Sequence, residues 1–220
     1  MQSVIRASLL LTASTSLVVA GPDWTEVGDA GSFLGSAQTP LGVGAISRIS
    51  GSLGGEGESG DFEDMFIISV DEPMAFRLEL LNPGFDAQLF IFNITFSGGA
   101  LGLLANDNAN AGTTDPILTS MSTDGSSAVL DLPGIYAVAI AGAGRNPTSD
   151  NGLIFDLANP FEISGADGPG GLLRHTGWTG EGEVGDYAVE LEGIDFAKIP
   201  APAVTLPIAM LGLAATRRRR

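Results

Sequence analysis

The stretch from Asp61 to Asn108, DFEDMFIISVDEPMAFRLELLNPGFDAQLFIFNITFSGGALGLLANDN, restricts the chain to a β fold. Phe76, Leu78 and Leu80 alternate with Arg77 and Glu79, and a period of two puts the apolar three on one face of a half-buried strand. Asn82-Pro83-Gly84 supplies turn chemistry, and Phe85 to Phe92 starts a second apolar run. An antiparallel pair is expected there. Met65 to Val70 is apolar in both parities until Asp71-Glu72-Pro73 stops it, which predicts a strand buried on both faces inside a two-layer packing.

The rest of the chain repeats this pattern in short pieces. Leu101–Ala105, Ile117–Met121, Ala128–Leu132 and Ile135–Ala141 read as strands, with Asp124-Gly125 and Pro133-Gly134 as turn dipeptides. Near the end, Tyr187, Val189 and Leu191 alternate with Ala188, Glu190 and Glu192. Asp23-Trp24 and Val43 to Ile49 are expected as short edge strands in a Gly/Ser-rich lead-in. Many short strands at close spacing predict an all-β antiparallel sandwich. At 220 residues the chain has room for one such domain, placed at 21–198. Its core is expected over about 51–145 plus 186–194, with an irregular insertion at 142–177 that carries the lone His175.

The two ends differ in character. Residues 1–20 combine Arg6, an apolar run and Val18-Val19-Ala20 before Gly21, the layout of a secretory signal peptide. Residues 199–220 read Pro200-Ala201-Pro202, an apolar run from Ala203 to Ala215, and then Arg217, Arg218, Arg219 and Arg220. That run is shorter than the roughly 20 residues of a bilayer-crossing helix, so transient membrane anchoring is expected, with the arginines on the cytoplasmic side.

Five of the ten basic residues lie in these ends, leaving five against 26 acidic ones, a net −21 for the middle of the chain. Such a surface repels nucleic acid and anionic lipid and attracts cations. With no cysteine there is no thiol nucleophile and no Cys-based zinc site. A single histidine builds no HExxH zinc site, and no Gly-x-Ser-x-Gly elbow is present. Gly55 to Gly60 matches GxGxxG but precedes a strand instead of following one, and its two glutamates oppose a pyrophosphate. Asn93-Ile94-Thr95 is a sequon inside an apparent strand.

Two features bear on cations. GEGESGDF at 55–62 is echoed by GEGEVGDY at 180–187, each leading into a strand; both are acidic turns or both give carboxylates to a cation. The loop from Asn106 to Asp115 is rich in the hard oxygens calcium takes, although it is not an EF-hand loop and serves equally as a structural loop.

Asp61 to Phe66, Phe85 to Phe92, Asn106-Asp107-Asn108 and Pro133-Gly134-Ile135-Tyr136, in that order, resemble the bacterial pre-peptidase C-terminal domain, over about residues 51–145. The resemblance implies a jelly-roll-like sandwich appended to secreted proteins. It also implies a calcium site joining an acidic lead, Glu56, Glu58, Glu63 and Asp64, to Asp86 and to Asn106, Asp107 and Asn108. The tail resembles a PEP-CTERM sorting signal, with Pro200-Ala201-Pro202 in place of Pro-Glu-Pro. That implies an exosortase-type sorting protease and transfer to the cell envelope or exopolysaccharide matrix. The expected protein is therefore exported and non-catalytic, with a structural or adhesive role. The alternative is a secreted carbohydrate-binding module or carboxylate-pair glycoside hydrolase.

Overall fold

The computed structural model describes residues 22–54, 60–81 and 83–197. The expected signal peptide, Glu56, Glu58 and the expected sorting tail lie outside the described residues.

Fourteen strands are described, with one 3-10 turn at Pro73–Ala75. In chain order they are β1 (Asp23–Thr25), β2 (Arg48–Ser52), β3 (Glu63–Val70), β4 (Arg77–Leu80), β5 (Ala87–Ile94), β6 (Ala100–Asn106) and β7 (Ile117–Thr119), then β8 (Gly134–Gly142), β9 (Pro147–Ser149), β10 (Gly152–Leu153), β11 (Ser164–Gly165), β12 (Gly177–Trp178), β13 (Asp186–Glu192) and β14 (Ile194–Phe196). One large sheet runs β1-β2-β13-β4-β7, a second β11-β6-β5-β8-β3-β14, and a small third sheet β10-β9-β12. The pairings are antiparallel except that of β1 with β2. Within this order β2-β13-β4-β7 faces β3-β8-β5-β6. From β2 to β8 successive strands alternate between these sheets except at the β5–β6 hairpin, in the manner of a jelly roll. The all-β sandwich expected from the strand spacing is what the chain forms.

The alternation explains the layers. Phe66, Ile68 and Val70 of β3 and Leu89 and Ile91 of β5 point between the sheets, where they meet Leu78, Leu80, Val189 and Leu191. The other parity of the second sheet, Met65, Phe90, Phe92, Ala137 and Ala139, faces outward and is also buried. Its cover is the 142–177 insertion, through Ile154 and Phe155, with Trp178 just beyond it. Gly102 of β6 permits that contact, since a Cβ there would stand 2.3 Å from Ile154. Met65 to Val70 is therefore apolar in both parities because a third layer covers this sheet, not because two layers suffice.

Other expectations need correction. β4 and β5 do not pair; β4 lies between β13 and β7, and β5 between β6 and β8. The chain crosses between sheets at Phe85, so the two apolar faces meet across the core. Ala128–Leu132 forms only the isolated bridge of Val129 to Met121, because Asp124 closes a tight turn by accepting from the Ser126 and Gly165 amides. The second lead-in strand begins at Arg48, with Val43 93% exposed, and β2 lies inside its sheet. The final strand bends at Gly193 (φ +70°) and continues as β14 in the other sheet. A Cβ at Gly193 would lie 2.8 Å from the Glu72 carbonyl oxygen.

Candidate functional site

At one end of the sandwich, carboxylate oxygens of Glu26, Asp29 and Asp64 lie within 4.8 Å of one another. Glu26 and Asp29 follow β1, whereas Asp64 is the second residue of β3 and shares the inward parity of Phe66. Backbone amides fix the outer two: Glu26 accepts from Ala30 at 2.8 Å and from Ser52 at 3.1 Å, and Asp29 from Gly31 at 2.7 Å. Asp64 is fully buried, and its Oδ2 accepts the Tyr187 hydroxyl of β13 at 2.7 Å. Asp64 Oδ1 is buried with no donor. Gly51 of β2 forms the floor, for a Cβ there would stand 2.3 Å from both Glu26 Oε2 and the Tyr187 hydroxyl. The site thus joins the N-terminal arm to both sheets.

Its electrostatics follow from burial. Desolvation pushes the Asp64 carboxyl up to about 8 despite the Tyr187 hydrogen bond, and the charges of Glu26, Asp61 and Asp29 add to the rise. Burial also raises Glu26, against the two amides that hold it. The Tyr187 phenol is pushed up by burial and by the Asp64 charge beside it. Two species relieve three converging carboxylates, a proton or a cation. The donors are all hard oxygens, and Asp64 keeps a buried oxygen with no donor, so the cluster can hold a metal ion. Because Asp64 is fully buried, it offers no face to a sugar ring.

The acidic residues expected to form one calcium site are divided by the structure. Asp64 joins the cluster just described. Glu63, one residue earlier, faces the opposite side of the sheet and is held by Arg145, whose Nε and Nη2 donate to its two oxygens at 2.5 and 3.1 Å. Asn106 fastens its loop: Nδ2 donates to the Asn108 and Glu162 carbonyls and Oδ1 accepts from the Ile117 amide. Asp86, Asp107 and Asn108 each keep a buried oxygen without a donor.

Glu26, Asp29, Gly51 and Tyr187 escape sequence reasoning. Glu26 and Asp29 stand in a lead-in without periodicity, and only Tyr187 carries a sequence marker, at the end of the second acidic echo. His175 packs against Phe33, Phe92 and Trp178 with ring centroids 4.8–5.4 Å away. Burial lowers it to about 4, so it is neutral at physiological pH. Both indoles are engaged, Trp24 donating to Gln38 and Trp178 to the Ser32 carbonyl. No family model, curated protein or solved structure matches the chain.

Proposed function

We propose that the chain is an exported protein of the cell envelope or extracellular matrix, whose non-catalytic sandwich has a structural or adhesive role and is fastened by calcium. The observation that carries this reading is the Glu26–Asp29–Asp64 cluster, which couples the N-terminal arm to both sheets and leaves a buried oxygen without a donor. Glu26, Asp29 and Asp64 would hold the ion, and Tyr187 would orient Asp64. Calcium supplies charge neutralisation and a cross-link. Extracellular calcium modules work at dissociation constants of about 10⁻⁴–10⁻³ M, so such a site fills only after export. The signal-peptide layout of residues 1–20 and the sorting-type tail at 199–220 support the same compartment.

The test uses protein recovered from its native source. Fractionation with intact-mass measurement is expected to place it in the envelope or medium, beginning at Gly21 and lacking Arg217 to Arg220. Recovery of the full-length chain in the cytoplasm would overturn export. The melting temperature of the recovered protein is expected to rise with millimolar calcium and fall with chelator. By linkage, ligand at 100 times its dissociation constant adds about 2.7 kcal/mol. Asp29→Asn, at an exposed position, is expected to remove most of that gain.

A further inference from the structure

The two ends of β5 carry opposite chemistry. Beyond Ile94 the chain turns where the Gly98 amide donates to the Thr95 carbonyl, and Phe96 at the tip of this hairpin is fully exposed. Arg174 lies beside it, its Nη2 donating to the Ser97 hydroxyl at 2.5 Å. Gly99 makes room for the arginine stem, since a Cβ there would stand 2.5 Å from Arg174 Cδ. Leu172, two residues earlier, is 94% exposed. Arg48, Arg77 and Arg145 each pair with a carboxylate, so among the described residues Arg174 is the arginine without an ion pair. An unpaired guanidinium beside exposed apolar side chains is the composition of an interface anchor. At the other end of β5, eight residues and about 25 Å away, Phe85, Asp86, Asp115 and Glu183 line an open groove of about 840 Å³. The Asp86 amide donates to Glu183 Oε2 at 2.8 Å, which fixes these two residues against each other. Asp86 Oδ1 is buried with no donor, and none of the described residues lining the groove is basic. A guanidinium, with five donors in a planar fork, suits such acceptors.

Every copy of the chain carries both ends. We propose that the Phe96 and Arg174 tip of one copy docks in the Asp86, Asp115 and Glu183 groove of the next, so that copies assemble head to tail along β5. Chains of net charge −16 repel one another, so a contact between them is favoured only where it brings opposite charges together. Arg174 meeting three carboxylates does this. Because the two surfaces differ and lie at opposite ends, the contact is heterologous: each dimer keeps a free tip and a free groove, and the assembly extends instead of closing. A lipid surface is the other occupant that an exposed Phe and Arg would suit. However, β14 runs away from the Phe96 end, pairing Ile194 with Val70 and then Phe196 with Ile68, which directs a membrane-held tail away from the tip. The inference names a partner for the structural role proposed above and rests on that reading only for its setting, since the contact uses no calcium and no processed terminus.

Sedimentation velocity over a wide range of concentration, in chelator and about 0.15 M sodium chloride, tests this on protein recovered from its native source. The wild type is expected to form a series that grows past the dimer as concentration rises. Arg174→Glu and Glu183→Lys, both at exposed positions, are each expected to weaken association by about tenfold or more. Asp115→Lys replaces the second if Glu183→Lys does not fold. Mixed in equal amounts, the two variants are expected to form dimers that do not extend, because only the first keeps a working groove and only the second a working tip. A wild type that stays monomeric, one that stops at a dimer, or association indifferent to both substitutions overturns the inference. Flotation with phosphatidylcholine vesicles addresses lipid: a monomer that floats as wild type and not as Phe96→Ser assigns the tip to a membrane and overturns the inference as well. A monomer in these measurements leaves export and the calcium site standing, because fractionation and melting decide those. Recovery from the cytoplasm, conversely, removes export and leaves head-to-tail assembly to be read from the same sedimentation.

Discussion

At the residue scale, Asp64 decides how the site responds to pH. An unfolded aspartate titrates near about 4, whereas burial lifts folded Asp64 to about 8. Between these values the unfolded chain releases a proton that the folded chain keeps. The stability Asp64 contributes without metal is therefore complete below about 4 and is lost as pH rises through about 8. His175 works in the opposite sense, since its folded value near 4 lies below its ordinary one and its contribution is lost as pH falls. The informative quantity is the difference between wild type and Asp64→Asn. In chelator, urea midpoints are expected to show the wild type losing ground to the variant from pH 5 to pH 8; parallel curves would mean that Asp64 is ionised throughout. A second comparison tests the strand face. Phe76 is 3% exposed in the inter-sheet core, so Phe76→Asp buries an unpaired carboxylate, costing several kcal/mol against a total stability of about 5–15. Arg77 makes only a partly exposed pair with Glu79, so Arg77→Ser is expected to cost about 0–1 kcal/mol in the same melts. Equal losses would mean the face is assigned wrongly. Phe76 and Arg77 were legible because alternation writes burial directly into sequence. Glu26 and Asp29 were not, because a loop carboxylate acquires its neighbours only when the arm folds back onto β3.

At the element scale, individual strands were readable and their partners were not. Period-two alternation finds β4 and β13 and continuous apolar runs find β3 and β5, yet both are silent on whether two consecutive strands pair edge to edge or face each other across a core. β4 and β5 take the second course. The insertion was opaque for a different reason. Its strands are two or three residues long, too short for a period, and its contribution to the core comes from scattered residues such as Ile154 and Phe155. With Trp178, which follows it, the insertion covers Phe90 and Phe92, forming a cluster apart from the inter-sheet core. Removing the indole should loosen this layer before the sandwich. Trp178→Ala is expected to cost about 3–5 kcal/mol, and hydrogen exchange should speed up across 142–178 while β3 and β8 stay protected. Uniform loss of protection would show that the three layers unfold as one unit.

For the whole molecule, the question is whether calcium acts as a bound ion or merely as salt. A middle region of net −21 repels itself, and the described ion pairs, Arg48–Glu190, Arg77–Glu79 and Arg145–Glu63, neutralise little of that charge. Any electrolyte relieves such repulsion, because the screening length falls from about 10 Å at 0.1 M to about 3 Å at 1 M. Sodium chloride alone should therefore raise the melting temperature of the chelated protein, and it should do so equally in wild type and Asp29→Asn. An ion in direct contact with Glu26, Asp29 and Asp64 is screened far less, since Asp64 is buried and bulk salt does not come between it and the ion. The calcium increment is then expected to persist in 0.5 M sodium chloride in the wild type and to be largely missing from Asp29→Asn at every salt concentration. Melting curves over both concentrations decide the matter: an increment that fades with sodium chloride, in both proteins alike, makes calcium a counter-ion of the acidic surface and not a part of the fold.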